Sequence, residues 1–150
     1  MGLSGLHAFL RLHRRIALDT NVFIYHLEDN RRYSHLTNAV FSWLEQPGAS
    51  GVTSTLTMTE LLVQPLRNQD ETRANLFHDL LSTYPHLAWI APDLPIARLA
   101  ARYRALHGLK TIDALHAATA VRNSATGLIT NDAALTRVDQ LEVLVLDTLL

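Results

Sequence analysis

The sequence predicts a three-layer α/β domain, with helices covering both faces of a mostly parallel sheet. Two patterns carry that reading. Short apolar runs, among them Ile16-Ala17-Leu18, Leu87-Ala88-Trp89-Ile90 and Val143-Leu144-Val145-Leu146, alternate with longer segments of helical periodicity. Several of these runs are continuously apolar rather than alternating, as strands become when both sheet faces are covered. The chain has 150 residues and is 48% apolar, so it can bury a core of its own and reads as a single domain, residues 1–150.

The elements follow in order. Met1 to Arg15 reads as a short amphipathic leader helix packing on the domain, with Ser4 as its N-cap and Leu6, Phe9 and Leu10 on one side. The first strand is Ile16-Ala17-Leu18, running into Asp19-Thr20-Asn21, residue types that end strands and cap helices. Val22 to Leu27 turns away as a helix. Ser34 caps a helix to about Gln46, stopped by Pro47-Gly48. Gly51-Val52-Thr53 is a strand, and Ser54 or Thr55 caps a helix ending near Pro65. Asn68-Gln69-Asp70-Glu71 has the spacing of a capping box, opening a helix to Tyr84 with Leu76, Phe77, Leu80 and Leu81 periodic. After the strand Leu87–Ile90, Asp93 caps a helix through His107, with Pro95 in its first turn and Gly108 as its stop. Thr111 caps the next helix, to about Asn123. Gly127-Leu128-Ile129-Thr130 is a strand, Asn131-Asp132 leads into a short helix, and Glu142 to Leu146 is the last strand.

Composition excludes several classes of function. There is no cysteine, so disulfides, thiolate zinc sites and cysteine nucleophiles are out, and a cytoplasmic location fits. No stretch approaches the ~20 apolar residues of a membrane span. The arginines of the first fifteen residues follow the apolar part instead of preceding it, unlike a signal peptide. Gly2 is not matched by Ser or Thr at Leu6, as N-myristoylation requires. With 13 basic and 14 acidic residues the formal charge is −1, which argues against a strongly electrostatic nucleic-acid binder unless the acids are gathered in one place.

Four carboxylates are candidates for such a gathering. Asp19 and Asp132 each follow an apolar strand inside an Asp/Asn/Thr cluster. In a parallel sheet, ligands bind beyond the carboxyl ends of the strands. Asp113 falls in the first turn of a helix. Glu60 stands over Leu56 and Val63 at helical spacing, so it leans toward an apolar face and needs a partner. Each has an ordinary explanation singly: Asp113 favours a helix dipole, Asp132 is a cap, and Asp19 ends a strand. Jointly they describe an oxygen-only ligand set, which selects a hard cation, Mg²⁺ or Mn²⁺. Two carboxylates ~4 Å apart repel by roughly 4 kcal/mol at an effective dielectric of ~20, so a converging set either protonates or captures metal.

The pieces Leu18-Asp19-Thr20-Asn21-Val22-Phe23-Ile24, Thr59-Glu60-Leu61, Thr111-Ile112-Asp113-Ala114-Leu115-His116-Ala117-Ala118 and Ile129-Thr130-Asn131-Asp132 together resemble the PIN-domain nucleases, particularly the VapC-type toxins of bacterial toxin–antitoxin pairs. The resemblance spans about Ile16 to Leu146. It implies a parallel sheet of four or five strands in the order 3-2-1-4-5. It implies an acidic cluster of Asp19, Glu60, Asp113 and Asp132 holding Mg²⁺ or Mn²⁺, with Thr130 and Asn21 orienting those carboxylates. The implied activity is metal-dependent endoribonuclease cleavage by an activated water. A homodimer and a small antitoxin partner are implied in the same way. The leader is the departure, since many such toxins begin almost at the first strand.

His116 falls on the same helix face as Asp113 and is a candidate to bond a phosphate or a carboxylate, or to pack beside the site. Arg98 and Arg102, Arg31 and Arg32, and Arg14 and Arg15 are candidates for phosphate contacts, which position RNA without reading its sequence. Three rivals stand beside the toxin reading. They are a housekeeping PIN nuclease of RNA processing, a non-catalytic RNA-binding or interaction module, and an aspartate-based phosphatase. The last wants an acid two residues after its nucleophile, where this chain has Asn21, and a lysine partner, where it has only Lys110.

Overall fold

The first strand, β1 (Arg15–Leu18), is the middle of the sheet. The computed structural model describes residues 2–150; the first residue of the expected leader, Met1, lies outside them. β2 (Ser50–Ser54), β3 (Leu87–Ile90), β4 (Gly127–Thr130) and β5 (Glu142–Val145) complete a five-stranded sheet in the order β3-β2-β1-β4-β5. All four pairings are parallel. The chain order turns back between β1 and β4, so the crevice beyond their carboxyl ends is the switch point of the topology.

Successive β1 residues enter different cores, as a strand's alternation requires. Ile16 and Leu18 join Leu6, Phe23, Phe41 and Leu81 on one face. Ala17 joins Ile96, Ala117 and Leu128 on the other. The first face is covered by α1 (Gly2–Leu12), α2 (Thr20–Leu27), α3 (Ser34–Leu44), α4 (Thr55–Arg67) and α5 (Glu71–Ser82). The second is covered by α6 (Leu94–His107) and α7 (Thr111–Arg122). Four alanines of α7, Ala114, Ala117, Ala118 and Ala120, are fully buried there, and side chains this small let a helix lie close to the sheet. The expected α/β/α layering therefore holds, and the sheet is parallel throughout.

Several expected boundaries move, each for a local reason. The leader helix buries Leu6, Phe9 and Leu10 as its periodicity indicates, but begins at Gly2, so Ser4 lies inside it. α3 starts after Tyr33, which makes no side-chain cap; Ser34 is the first helical residue and the helix ends at Leu44. Pro65 is carried inside α4, which continues to Arg67; a proline forfeits one backbone bond near a helix end but its own φ is helical. Asn68 closes α4 instead of opening α5, and the cap is Asp70, whose carboxylate accepts from the Arg73 N–H. α5 stops at Ser82, and only Ala74 and Leu81 of it are buried; Leu76 and Leu80 of the predicted apolar face are exposed. Lys110, not Thr111, precedes α7.

Other caps hold as expected, Ser54 at the start of α4 among them. Asp93 accepts from the Ile96 N–H at the start of α6, and Gly108 ends that helix at φ 66° in the left-handed region, a conformation glycine adopts without steric cost.

Candidate active site

Asp19 begins the site because β1 ends on it. Its carboxylate caps α2: Oδ1 accepts from the Thr20 N–H at 2.8 Å. Its other oxygen, Oδ2, accepts from the Thr130 hydroxyl at the end of β4, at 2.6 Å. The backbone is bound across the same gap, since the Asp19 N–H donates to Ile129 O at 3.0 Å. Thr130 Oγ1 accepts in turn from the Asp132 N–H at 3.0 Å. Asp132 caps the short 3-10 helix Ala133–Arg137, with Oδ1 accepting from the Ala134 N–H at 2.9 Å. Asp19 and Thr130 are buried, with Asp132 only partly covered.

Asp113 arrives from the first turn of α7. Its carboxyl is pushed up to about 6, first by burial, then by the charges of Asp132 and Asp19 and a hydrogen bond with Asp132. Three carboxylates from β1, α7 and the end of β4 thus act on one another, as like charges sharing a site do.

Glu60 enters from α4, and the expectation that it leans into an apolar face is corrected. Its side chain is 41% exposed. It still has partners. Oε1 accepts from the Thr20 hydroxyl at 2.7 Å and from His116 Nε2 at 3.0 Å. The His116 bond lowers the Glu60 pKa against the opposing effect of burial, with Thr20 adding to it. His116 is buried, and burial works against its charged form. The Glu60 bond and the nearby charges of Asp19, Glu60 and Asp113 outweigh that, and its pKa is raised. Its Nε2 also lies 3.8 Å from Asp19 Oδ1. His116 is thus the side chain that joins Glu60 to the aspartates.

Sequence reasoning missed the threonines behind this join. Thr20 Oγ1 lies 3.1 Å from Thr57 Oγ1, which lies 2.9 Å from Thr53 Oγ1, which donates to Leu18 O at 3.0 Å. The protons can be counted. Thr53 donates its hydroxyl proton to Leu18 O and Thr20 donates its own to Glu60, so the Thr57 proton is shared between its two neighbours. The signal was present in Thr53 and Thr57, hydroxyls at the end of a strand and one turn into the next helix. Asn21 is placed differently from the expectation. Its side-chain oxygen is buried with no hydrogen-bond partner, and the bonds that orient Asp19 come from Thr20 and Thr130.

Among the described residues, no group of three or more His, Asp or Glu side chains is placed to hold a metal ion as it stands. The carboxylates of Asp19, Asp113 and Asp132 interact with one another. The donor chemistry nevertheless suits a hard divalent cation: all candidate ligands are carboxylate oxygens, and burial, followed by the charges of Asp132 and Asp19, leaves Asp113 reluctant to ionise.

The family model described as PIN domain matches residues 16–141. The chain belongs to the PIN-domain family. The match covers β1 to the approach of β5 and includes every candidate site residue. Comparison with curated proteins finds no match.

Solved structures with the same PIN fold include VapBC2 from Rickettsia felis bound to a DNA fragment from its promoter. It has 17% identity and a TM-score of 0.68, with 87% of this chain and 97% of that chain covered. VapBC-1 from nontypeable Haemophilus influenzae is 20% identical with a TM-score of 0.68, covering 89% and 98%. FitAcB from Neisseria gonorrhoeae is 25% identical with a TM-score of 0.63, covering 87% and 97%. No helix among the described residues is long and apolar enough to cross a membrane.

Proposed function

We propose that this PIN domain, residues 1–150 acting as one unit, is a metal-dependent endoribonuclease and the toxin of a toxin–antitoxin pair. The observation that carries the reading is that Asp113, Asp132 and Asp19 act on one another: burial first, and then the charges of the other two, push the Asp113 carboxyl up to about 6. A fold selected only for stability has no use for carboxylates that oppose one another's ionisation; a nuclease needs them.

Asp19, Asp113 and Asp132 are the residues that would hold Mg²⁺ or Mn²⁺, with Glu60 completing the acidic set. A bound cation of this kind supplies an activated water and neutralises charge developing on the phosphate. The chain's own residues set the stage. Thr130 and the Thr20 N–H fix both oxygens of Asp19, so its carboxylate is held in one orientation. His116 and Thr20 hold Oε1 of Glu60. His116 supports these residues by bonding Glu60 through Nε2, which also lies 3.8 Å from Asp19 Oδ1.

The partner reading is supported by the kinship in fold to solved toxin–antitoxin complexes. A small antitoxin is the expected partner, RNA the substrate and a homodimer the expected assembly. Purified protein incubated with single-stranded RNA in Mg²⁺, Mn²⁺ or EDTA tests the chemistry. Cutting is expected with metal, none with EDTA, and none from Asp19→Asn or Asp113→Asn. Full activity in both variants overturns the assignment. Expression without the neighbouring reading frame is expected to arrest growth, and normal growth favours a housekeeping nuclease.

A further inference from the structure

Glu60 belongs to two places. One oxygen is held by Thr20 and His116 at the acidic site. The same residue is also part of the wall of a cavity of about 360 Å³ between α2, α4 and the start of α5, within the ~300–1,000 Å³ range of small-ligand sites. A strand of substrate lying across the carboxylates therefore has this cavity beside it.

Its lining is chemically specific. Glu60, Gln64 and Asn68 follow one another at four-residue steps along α4, so one edge presents a carboxylate and then two amides. Ile24, Leu61 and Phe77 supply apolar surface. The Arg73 guanidinium lies 5.1 Å over the Phe77 ring, a flat cation–π pair on which another flat ring can stack. Glu28 and Asp70 add carboxylates.

This lining suits a base and not a phosphate. Three carboxylates face a single arginine, and that arginine is already placed over an aromatic ring. A planar heterocycle, by contrast, gains stacking from the Arg73–Phe77 pair. It also gains paired donor and acceptor contacts from Gln64 and Asn68, the residue types that read base edges. The ionised carboxylates only accept hydrogen bonds. They favour bases that carry an exocyclic amine, namely adenine, cytosine and guanine, over uracil, which has none.

We propose that this cavity is a nucleobase subsite, which takes the base of a nucleotide adjoining the scissile phosphate and prefers one with an exocyclic amine over uracil. The inference rests on the ribonuclease reading and adds its specificity determinants, Gln64, Asn68 and the Arg73–Phe77 pair.

The test uses a fully randomised pool of single-stranded RNA and two readouts. In the first, cut ends made by the full chain with Mn²⁺ are sequenced. Uracil is expected to be depleted at one fixed offset from the cut. Gln64→Met, Asn68→Leu and Phe77→Leu are expected to reduce that discrimination by roughly tenfold each while preferences at other offsets stay as they were. In the second, RNA retained by the protein in EDTA is sequenced, which reads base preference with no cutting.

If the wild type cuts and the variants keep its full discrimination, the subsite is refuted and the nuclease reading survives. If the wild type does not cut but retains uracil-poor RNA, and the variants lose that preference, the subsite stands and the nuclease reading fails. Variants that lose affinity for a co-expressed partner protein, with base preference unchanged in both readouts, assign the cavity to that protein and overturn the proposal. Circular dichroism of each variant separates these results from unfolding, and Phe77→Leu keeps an apolar side chain for that reason.

Discussion

The hydroxyl of Thr130 donates to Asp19 Oδ2 at 2.6 Å while accepting from the Asp132 N–H at 3.0 Å. One oxygen thus sets the relative position of two carboxylates from different strand ends. Thr130→Val keeps the shape and removes both bonds. It is expected to cost about 1–3 kcal/mol of stability, since a buried carboxylate oxygen loses its donor. RNA cleavage should fall together with Mn²⁺ affinity, and Thr130→Ser should restore most of both. Chemical denaturation and isothermal titration check it; a Val variant with wild-type affinity removes Thr130 from the site.

Asp113 makes the metal-free protein sensitive to pH. Its folded pKa of about 6 lies above the ordinary value of 3.8, so the folded state holds the proton more tightly than the unfolded one. This contribution to stability is fully present below the unfolded value and is lost as pH rises through about 6. Urea unfolding in EDTA should therefore show stability falling between pH 4 and about 6 from this group. Asp113→Asn should flatten that part of the profile, be the more stable protein at pH 7, and cut no RNA.

The pKa of His116 is raised by its neighbours against the effect of its burial. In Glu60→Gln the charged acceptor becomes a neutral amide and one of the charges that raise its pKa is gone, while burial stays. The pKa of His116, followed by its ring proton in NMR titrations, is expected to fall in this variant. An unchanged value means that Asp19 and Asp113 alone account for the rise.

The leader helix is a working part of the core. Leu6 is fully buried, and Leu6→Ala should cost roughly 2–5 kcal/mol. Gly127→Ala places a Cβ 2.8 Å from Phe9 Cζ and 3.0 Å from His13 Cγ, overpacking expected to cost about 1–3 kcal/mol. Thermal unfolding of both variants checks the claim, and a Tm within a degree or two of wild type would falsify it.

The sheet was legible because β1 and β4 are short apolar runs that end in polar clusters, and the same property revealed Asp19, Thr130 and Asp132. Asp113 was legible from its place one turn into a helix. Glu60 was found with its direction misjudged. Spacing along α4 names its neighbours on that helix, whereas its actual partners, Thr20 and His116, come from α2 and α7. Thr55, Thr57 and Thr59 look alike in the sequence, yet only Thr57 is buried. α5 shows the same gap from the other side, since periodicity defines the face carrying Leu76 and Leu80 but not whether anything covers it.

His13 fastens the leader to the far end of the chain: its ring bonds Thr126 at 2.8 Å and Glu142 at 2.9 Å. Leu6, Phe9 and Leu10 share one core with Leu146 and Leu149. Such a domain cannot be finished in the order in which a ribosome makes it. Leu6, Phe9 and Leu10 are not fully covered until Leu146 and Leu149 have emerged, so a product stalled before those residues lacks a closed interior and is open to proteases.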